Sequence, residues 1–168
     1  VMAYEISKTL EYKPQLVETP LGEAEVMMPD DEIVIATILR AGLPFHQGFL
    51  NYFDNAQNSF VSAYRKYRKD NTFNIKVEYI SACELTGKTL IIVDPMLATG
   101  SSLVMTYNAL VEKADDPFRL PTGTMSIYLP CANNCHIWCG SVDAETTVKS
   151  YIVPGMGDVG DLAYGEKL

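Results

Sequence analysis

Residues 89–102, TLIIVDPMLATGSS, bring one acid close to a cluster of hydroxyl side chains. Asp94 ends an unbroken apolar run, which is typical of a strand covered on both faces in a parallel sheet. Ala98–Ser102 follows, and helical spacing begins at Leu103. Small residues let backbone N–H groups approach an anion, hydroxyls add donors, and a helix N-terminus adds positive potential. The stretch therefore favours a phosphate ester bearing a polyol, with the loop on the phosphate and Asp94 on the hydroxyls.

A purely structural interpretation is also open, because any strand–turn–helix unit needs small polar residues and a hydroxyl cap at its turn. The stretch lacks the Lys of a P-loop and the glycine spacing of a dinucleotide fingerprint. The order of Asp94, Pro95 and the hydroxyl-rich loop resembles the phosphoribosyl-diphosphate loop of type I phosphoribosyltransferases. With Pro95 where many relatives carry a second acid, it resembles the form of that loop in uracil phosphoribosyltransferases.

Arg40 follows a second unbroken apolar run, Ile33–Leu39, and precedes a Gly–Pro turn. Its guanidinium group matches phosphate oxygens bidentately, and the alternative is an exposed ion pair. The segment ATILRAGLPF, residues 36–45, resembles the diphosphate-binding loop of the same family. That resemblance favours the functional interpretation.

A cationic cluster, RKYRK at residues 65–69, stands out in an acidic chain. Basic residues at a hairpin tip commonly protect a sheet edge. In the family that the chain resembles, a flexible arm closes over the site, and Arg65 in SAYRKY matches its diphosphate-binding arginine. Closure of such an arm would exclude water from a reactive glycosyl intermediate. We expect Lys66, Arg68 and Lys69 to be solvated.

The segment YIVPGMGDVGD, residues 151–161, combines three glycines, one proline and two acids, so we expect neither helix nor strand there. It resembles the uracil-recognition loop of the family, in which main-chain groups, here of Ile152, Gly157 and Val159, read the pyrimidine edge. Such a rigid backbone pattern would reject cytosine by leaving buried polar groups unpaired. The resemblance places Asp158 at the metal end of the site.

The resemblance thus implies a complete site, with Asp94, Arg65 and Asp158 as catalytic residues and Mg²⁺ carried by the diphosphate. The implied phosphoribosyl-diphosphate ligands are Arg40, Ala41, Gly42, Arg65, Asp94, Pro95, Met96, Leu97, Ala98, Thr99, Gly100, Ser101, Ser102 and Asp158. The implied uracil ligands are Tyr151, Ile152, Gly157, Asp158 and Val159. Uracil and phosphoribosyl diphosphate would give UMP and diphosphate, a reaction of pyrimidine salvage.

The elements that must position these residues alternate between strand and helix. The patterns predict a helix near Val1–Lys8, extended segments and turns over Tyr12–Pro29, a helix over Phe45–Phe53 and a strand over Ile137–Val142. Alternating residues over 60–80 predict an antiparallel hairpin. We expect an α/β fold of the type I phosphoribosyltransferase kind: a mostly parallel twisted sheet flanked by helices, with the hairpin as a projecting arm.

The 168 residues suit a single domain, 1–168, and the net charge of −8 argues against a nucleic-acid partner. We expect no membrane partner, a cytoplasmic location and a homodimer or higher homo-oligomer. The resemblance also implies an N-terminal segment before Val1. Residues 115–136 diverge from the family, which leaves open a non-catalytic regulator that binds nucleotide or phosphoribosyl diphosphate. A transferase for another base is hard to reconcile with IVPGMGDVGD.

Three cysteines near one histidine, Cys131, Cys135, Cys139 and His136, suggest a zinc site as an alternative. We expect small buried or loop thiols instead, because His136 directly adjoins Cys135 and Cys139 lies in a predicted strand. His46, beside Phe45, is expected to be a packing residue, and Trp138 is expected to lie in the core.

Overall fold

The computed structural model describes residues 1–67, 73–113, 136–148 and 150–166. Its helices are α1 (Met2–Ser7), α2 (Leu43–Leu50), α3 (Ser101–Lys113) and α4 (Val159–Tyr164). Its strands are β1 (Tyr12–Thr19), β2 (Gly22–Pro29), β3 (Ile33–Leu39), β4 (Gln57–Tyr67), β5 (Phe73–Ser81), β6 (Thr89–Val93), β7 (Glu145–Thr146) and β8 (Ile152–Val153).

The central sheet has the strand order β5-β4-β3-β6. β3 pairs in parallel with both β4 and β6, and β5 pairs antiparallel with β4. Since parallel strands end at the same sheet edge, the loops that follow Leu39 and Val93 leave the sheet side by side. The predicted α/β architecture with its parallel sheet is confirmed.

Both faces of the sheet are covered. On one face, Ile33 and Ile35 of β3 join a core cluster with residues of α1, α2 and β6. On the other face, Val34 and Ala36 join a cluster that includes Tyr107 of α3. Burial on both faces explains why the sequence of β3 shows no polar alternation.

The hairpin predicted over residues 60–80 is present as β4 and β5, with a register irregularity between Ser62 and Ala63. Its first strand begins earlier than predicted, at Gln57. From Gln57 to Ser62, β4 pairs in parallel with β3, so the arm grows directly out of the central sheet.

The segment Tyr12–Pro29 forms a regular antiparallel hairpin, β1 and β2, where the sequence suggested only extended pieces and turns. This hairpin is a separate two-stranded sheet. Each of its strands is therefore an edge strand, and edge strands tolerate prolines such as Pro14.

The strand predicted over Ile137–Val142 is wrong. That segment is irregular and largely exposed, with Val142 86% exposed. In the described part of the chain β6 pairs only with β3, so residues 137–142 gain no ladder of backbone hydrogen bonds. Two short strands, β7 and β8, pair with each other instead.

The expectation that residues 151–161 contain neither strand nor helix is also wrong, since β8 and the start of α4 lie there. Asp158 caps α4, because its Oδ1 accepts a hydrogen bond of 3.1 Å from the backbone N–H of Asp161. An Asp at the N-cap satisfies a donor that the first helical turn otherwise leaves unpaired.

The packing histidine is confirmed. His46 is buried, its Nε2 lies 2.7 Å from Oδ1 of Asn58, and its ring lies against Phe60. Trp138 is half-buried and packs at the margin of the core cluster that contains Ile33.

Most of the divergent segment 115–136 and two of the candidate zinc ligands, Cys131 and Cys135, lie outside the described residues. The predictions about them stay predictions. Within the described ranges, no helix has the length and apolar character that a membrane span requires.

Candidate functional site

Asp94 stands where the backbone leaves β6, at the carboxyl edge of the sheet. One carboxylate oxygen accepts a hydrogen bond of 3.4 Å from the backbone N–H of Met96. Burial raises the pKa of Asp94 to about 6, and the hydrogen bond from Met96 opposes that rise only partly. A carboxylate with so little compensation gains from any further donor that a ligand brings to it.

The hydroxyl-rich loop connects Asp94 to α3. Oγ of Ser101 and Oγ1 of Thr99 lie 2.9 Å apart, and the Ser101 N–H donates to Thr99 Oγ1 at 3.4 Å. Gly100 has a φ of +73°, which turns the chain into α3. The helix starts at Ser101, two residues before the start that spacing predicts, so its N-terminal turn is part of the loop.

The Arg40 loop is held close to the sheet by Gly42. A Cβ at this position would lie 2.7 Å from Thr37 Oγ1 and 2.8 Å from the Ile38 carbonyl oxygen, nearer than side chains come. The buried Thr37 hydroxyl also donates to the Gly42 carbonyl at 3.3 Å. Only glycine lets the loop follow β3 so tightly.

The side chain of Arg40 reaches the C-terminal part of the chain. Its Nη2 donates to Asp161 Oδ1 at 2.9 Å and to the Gly165 carbonyl at 2.7 Å. The ring of Tyr164 lies 6.0 Å from the guanidinium carbon. The loop after β3 and α4, distant in sequence, are therefore in direct contact.

Glycines shape the segment between β8 and α4. Gly155 and Gly157 have φ values of +53° and +71°. A Cβ on Gly155 would collide with the backbone oxygen of Ile152. The chain therefore folds back on itself here and offers backbone groups to the space in front of the sheet.

These three loops surround one cavity of about 390 Å³. Its walls contain most of the residues that the resemblance implied, namely Arg40, Ala41, Asp94, Met96, Leu97, Ala98, Thr99, Gly100, Ser101, Ser102, Tyr151, Ile152, Gly157 and Asp158. Segments separated by more than a hundred positions thus meet at the carboxyl edge of the parallel strands, where open α/β sheets bind ligands.

Three implied ligands in the fully described part of the chain, Gly42, Pro95 and Val159, do not line the cavity. Gly42 is buried behind the loop, where it serves packing. Arg65 lies on β4 opposite Ile75, and its side chain is outside the part of the chain that the structure describes.

The cavity is also lined by residues that sequence reasoning did not assign, namely Ile38, Leu39, Leu103, Ser150, Met156, Gly160 and Asp161. Asp161 is the notable omission, because it pairs with Arg40 across 121 positions. The sequence showed an acid at the end of the glycine-rich segment, but nothing in it indicated the partner.

The donor set suits an anionic ligand with hydroxyl groups. Backbone N–H groups and hydroxyls of the loop before α3 can take one phosphate, and Arg40 can take a second anionic group. Asp94 lines the same cavity and can accept hydrogen bonds from hydroxyls.

Comparison with known proteins agrees with this geometry. A family model described as "Uracil phosphoribosyltransferase" matches residues 1–117. A protein named uracil phosphoribosyltransferase from Porphyromonas gingivalis is 52% identical over 176 aligned positions, which cover 100% of this chain and 81% of that protein. Its namesake from Methanothermobacter thermautotrophicus is 38% identical, covering 98% of this chain and 78% of its own length.

A solved structure gives the same result for the fold. The AQ2163 protein from Aquifex aeolicus superposes with a TM-score of 0.79 at 30% sequence identity. The match covers 98% of this chain and 80% of that protein.

Proposed function

The chain belongs to the uracil phosphoribosyltransferase family, and we propose that its cavity transfers the 5-phosphoribosyl group of phosphoribosyl diphosphate to uracil. The enzyme class is that of the pentosyltransferases, and the function is pyrimidine salvage. The observation that carries the assignment of the cavity is the meeting of Asp94, the hydroxyl-rich loop and Arg40 on one wall. Asp94 would bind the ribose, the hydroxyl-rich loop the 5-phosphate, and Arg40 the diphosphate.

In this reaction the bond between C1 of ribose and the diphosphate oxygen breaks, and a bond from C1 to N1 of uracil forms. The proton on N1 passes to solvent or to the departing diphosphate. The ribose ring gains positive charge in the transition state, so a nearby carboxylate stabilises it. Asp94, directly after the carboxyl end of β6, would hold the ribose hydroxyls and supply that negative charge.

The two anionic ends of the substrate would bind to two different loops of the cavity. The loop Ala98–Ser102 and the first turn of α3 would bind the 5-phosphate through backbone N–H groups and hydroxyls. Arg40 would bind the diphosphate, whose negative charge grows as it leaves. Holding both ends keeps C1 aligned with the incoming nucleobase, and such alignment supplies a large part of the rate.

The base would lie against the segment 151–159. Uracil presents an acceptor, a donor and an acceptor along one edge, and backbone groups of the cavity-lining residues Ile152 and Gly157 would pair with that edge. Cytosine places a donor where uracil has an acceptor. A rigid backbone cannot adapt to that change, so cytosine would leave polar groups unpaired.

Magnesium fits the cavity as a companion of the diphosphate. Mg²⁺ prefers oxygen ligands and is commonly held by one or two carboxylates together with substrate phosphates. Asp94 and Asp158 bring such carboxylates to the wall. Within the described ranges, no three candidate ligand side chains cluster closely enough to hold an ion by themselves. When bound beside Asp158, the ion would offset the negative charge of the leaving group.

Other properties follow from the proposed substrate. Phosphoribosyl diphosphate is a polyanion that cannot cross a lipid bilayer unaided, so we expect the protein to work in the cytoplasm. We also propose that the whole chain, 1–168, is one domain and that it assembles as a homodimer or higher homo-oligomer. Light scattering at micromolar concentration would test the assembly, and a monomer would contradict it.

The direct test measures conversion of labelled uracil to UMP by the purified chain with phosphoribosyl diphosphate and Mg²⁺, against cytosine as the control. Turnover with uracil alone supports both the reaction and the backbone recognition of the base. Absence of turnover in folded protein that still binds phosphoribosyl diphosphate would contradict the enzymatic function and favour a regulator.

Arg65 provides a separate test of the arm. Arg65→Ala should raise the KM for phosphoribosyl diphosphate by roughly tenfold, as expected when a charged contact to a phosphate is lost. The KM for uracil should change less. The opposite order of effects would show that Arg65 does not reach the diphosphate.

A further inference from the structure

Arg40 is held on one side by α4 and the residue that follows it. Nη2 donates to both the Asp161 carboxylate and the Gly165 carbonyl, at 2.9 Å and 2.7 Å. The Tyr164 ring lies beside the same guanidinium group. All these contacts come from a six-residue helix and its C-cap.

Another donor of Arg40 is buried and has no hydrogen-bond partner within the described part of the chain, namely Nε. A buried N–H without an acceptor costs free energy, and a native protein normally satisfies such a group. Nε is enclosed by the protein, so an oxygen in the cavity that Arg40 lines would meet the guanidinium group at Nη1, the nitrogen that Asp161 and Gly165 do not engage.

The guanidinium group is planar and rigid, so fixing one nitrogen fixes the directions of the others. Asp161 and Gly165 hold Nη2, and that constraint also determines where the N–H groups of Nη1 point. An arginine free to rotate would lose conformational entropy each time it engaged a diphosphate.

We propose that Asp161 is a positioning residue for the transfer reaction: it holds Nη2 of Arg40 so that the remaining donors of the guanidinium are already aimed at the diphosphate. This rests on the proposed function. Asp161 follows the proposed base-reading segment by only two residues, so the same helix links the uracil side of the cavity to the diphosphate side.

A merely structural ion pair is the competing explanation, and the exposure of the pair makes it testable. The two side chains are 33% and 34% exposed. Ion pairs this accessible to water add little to stability. If stability were the only role, replacing Asp161 would lower Tm slightly and would affect both substrates equally, without a selective effect on phosphoribosyl diphosphate.

The experiment compares Asp161→Asn, Asp161→Glu and the matched control Glu166→Gln, which removes one exposed carboxylate from the same segment. For Asp161→Asn we expect the KM for phosphoribosyl diphosphate to rise by roughly tenfold, with the KM for uracil changed by less than about twofold. Binding of diphosphate, measured by calorimetry without turnover, should weaken in parallel. Asp161→Glu should restore part of the loss, and Glu166→Gln should match the parent.

A double-mutant cycle with Arg40→Gln completes the test, because residues that act as a unit give non-additive effects. Once Arg40 is replaced, Asp161→Asn should add almost nothing further. Additive effects would overturn the proposal.

Three other outcomes would also overturn it: unchanged kinetics, equal losses for both substrates with a lowered Tm, or an altered Mg²⁺ requirement. The second would assign Asp161 to the stability of α4, and the third to the metal. A parent protein with no uracil turnover would contradict the proposed function instead, and intact diphosphate binding by that parent would still let calorimetry decide the role of Asp161.

Discussion

The cavity has two walls of different construction. The strand-end wall consists of the Arg40–Gly42 loop and Asp94–Ser102, which leave β3 and β6 directly. β3 is buried along nearly its whole length, so this wall rests on the core. The tail wall consists of residues 150–165, which form one two-residue strand and a six-residue helix with mostly exposed side chains.

The two walls therefore differ in what holds their substrate-binding groups in position. The core positions the groups proposed for phosphate and ribose, and little local adjustment is possible there. The tail wall is positioned by the Asp158 cap, by glycines with positive φ and by the Arg40–Asp161 pair. We therefore expect substitutions in the strand-end wall to affect chemistry and packing strongly, and those in the tail wall to act locally.

The largest expected effect is that of Asp94→Asn. Loss of the carboxylate should lower kcat by roughly 10²–10³-fold, as removal of one transition-state electrostatic contact does elsewhere. Steady-state assays with uracil measure this. Turnover close to that of the parent would rule out the role at the ribose.

The same variant should be more stable than the parent at neutral pH. The pKa of Asp94 rises from 3.8 to about 6 on folding, so its charged form is disfavoured in the native state. The native state holds the proton more tightly, and stability is lost as pH rises from about 4 to 6. Removing the charge should recover up to about 3 kcal/mol above pH 6. Denaturant unfolding of both proteins at pH 4 and pH 8 tests this, and an equal difference at both pH values would contradict it.

Activity should depend on pH in the opposite direction from stability: it should rise, not fall, as the pH increases towards 6. If ionised Asp94 is required, kcat/KM should fall about tenfold for each pH unit below about 6 and stay level above it. Stability and activity would therefore change in opposite directions across this window. A profile that is flat between pH 5 and 7 would show that the carboxylate is not needed in its charged form.

Gly42→Ala tests the packing of the strand-end wall. The added methyl group meets Thr37 Oγ1 and two backbone oxygens. Such overpacking should cost about 1–3 kcal/mol of unfolding free energy and displace Arg40. Gly48→Ala is the control, because a Cβ there meets nothing within 4 Å. In a helix interior that exchange should stabilise the protein by about 0.5–1 kcal/mol. Similar losses in both variants would contradict the packing argument.

The smallest expected effect on stability concerns the tail wall. Asp158→Ala removes the cap of α4 and should cost about 0.5–2 kcal/mol, whereas Asp158→Asn keeps a capping side chain. If the carboxylate also serves the metal end of the site, both variants lose activity. If the cap is its whole contribution, Asp158→Asn retains activity. Urea unfolding and uracil turnover of the pair separate these roles.

The strand-end wall was predictable because its signals are local. Unbroken apolar runs identified β3 and β6, and the small hydroxyl-rich residues after Asp94 identified the turn into α3. In the tail wall, the cavity-lining residues Tyr151, Ile152, Gly157 and Asp158 were predicted, but β8, α4 and the role of Asp161 were not. Strands of two residues and a helix of six residues are too short for periodicity to reveal. The false strand over Ile137–Val142 shows the converse, since its apolar residues gain no neighbouring strand in the described part of the chain.

The amino-acid sequence by itself determined the α/β fold class, the family resemblance and the identity of the residues expected to meet the substrate. These follow from patterns within a few consecutive residues, where side-chain size and backbone freedom act directly. Tertiary structure alone decided the pKa of Asp94, because burial depends on what packs around the carboxyl group. It also decided the pairing of Arg40 with Asp161, because only the folded sheet brings together two side chains 121 positions apart.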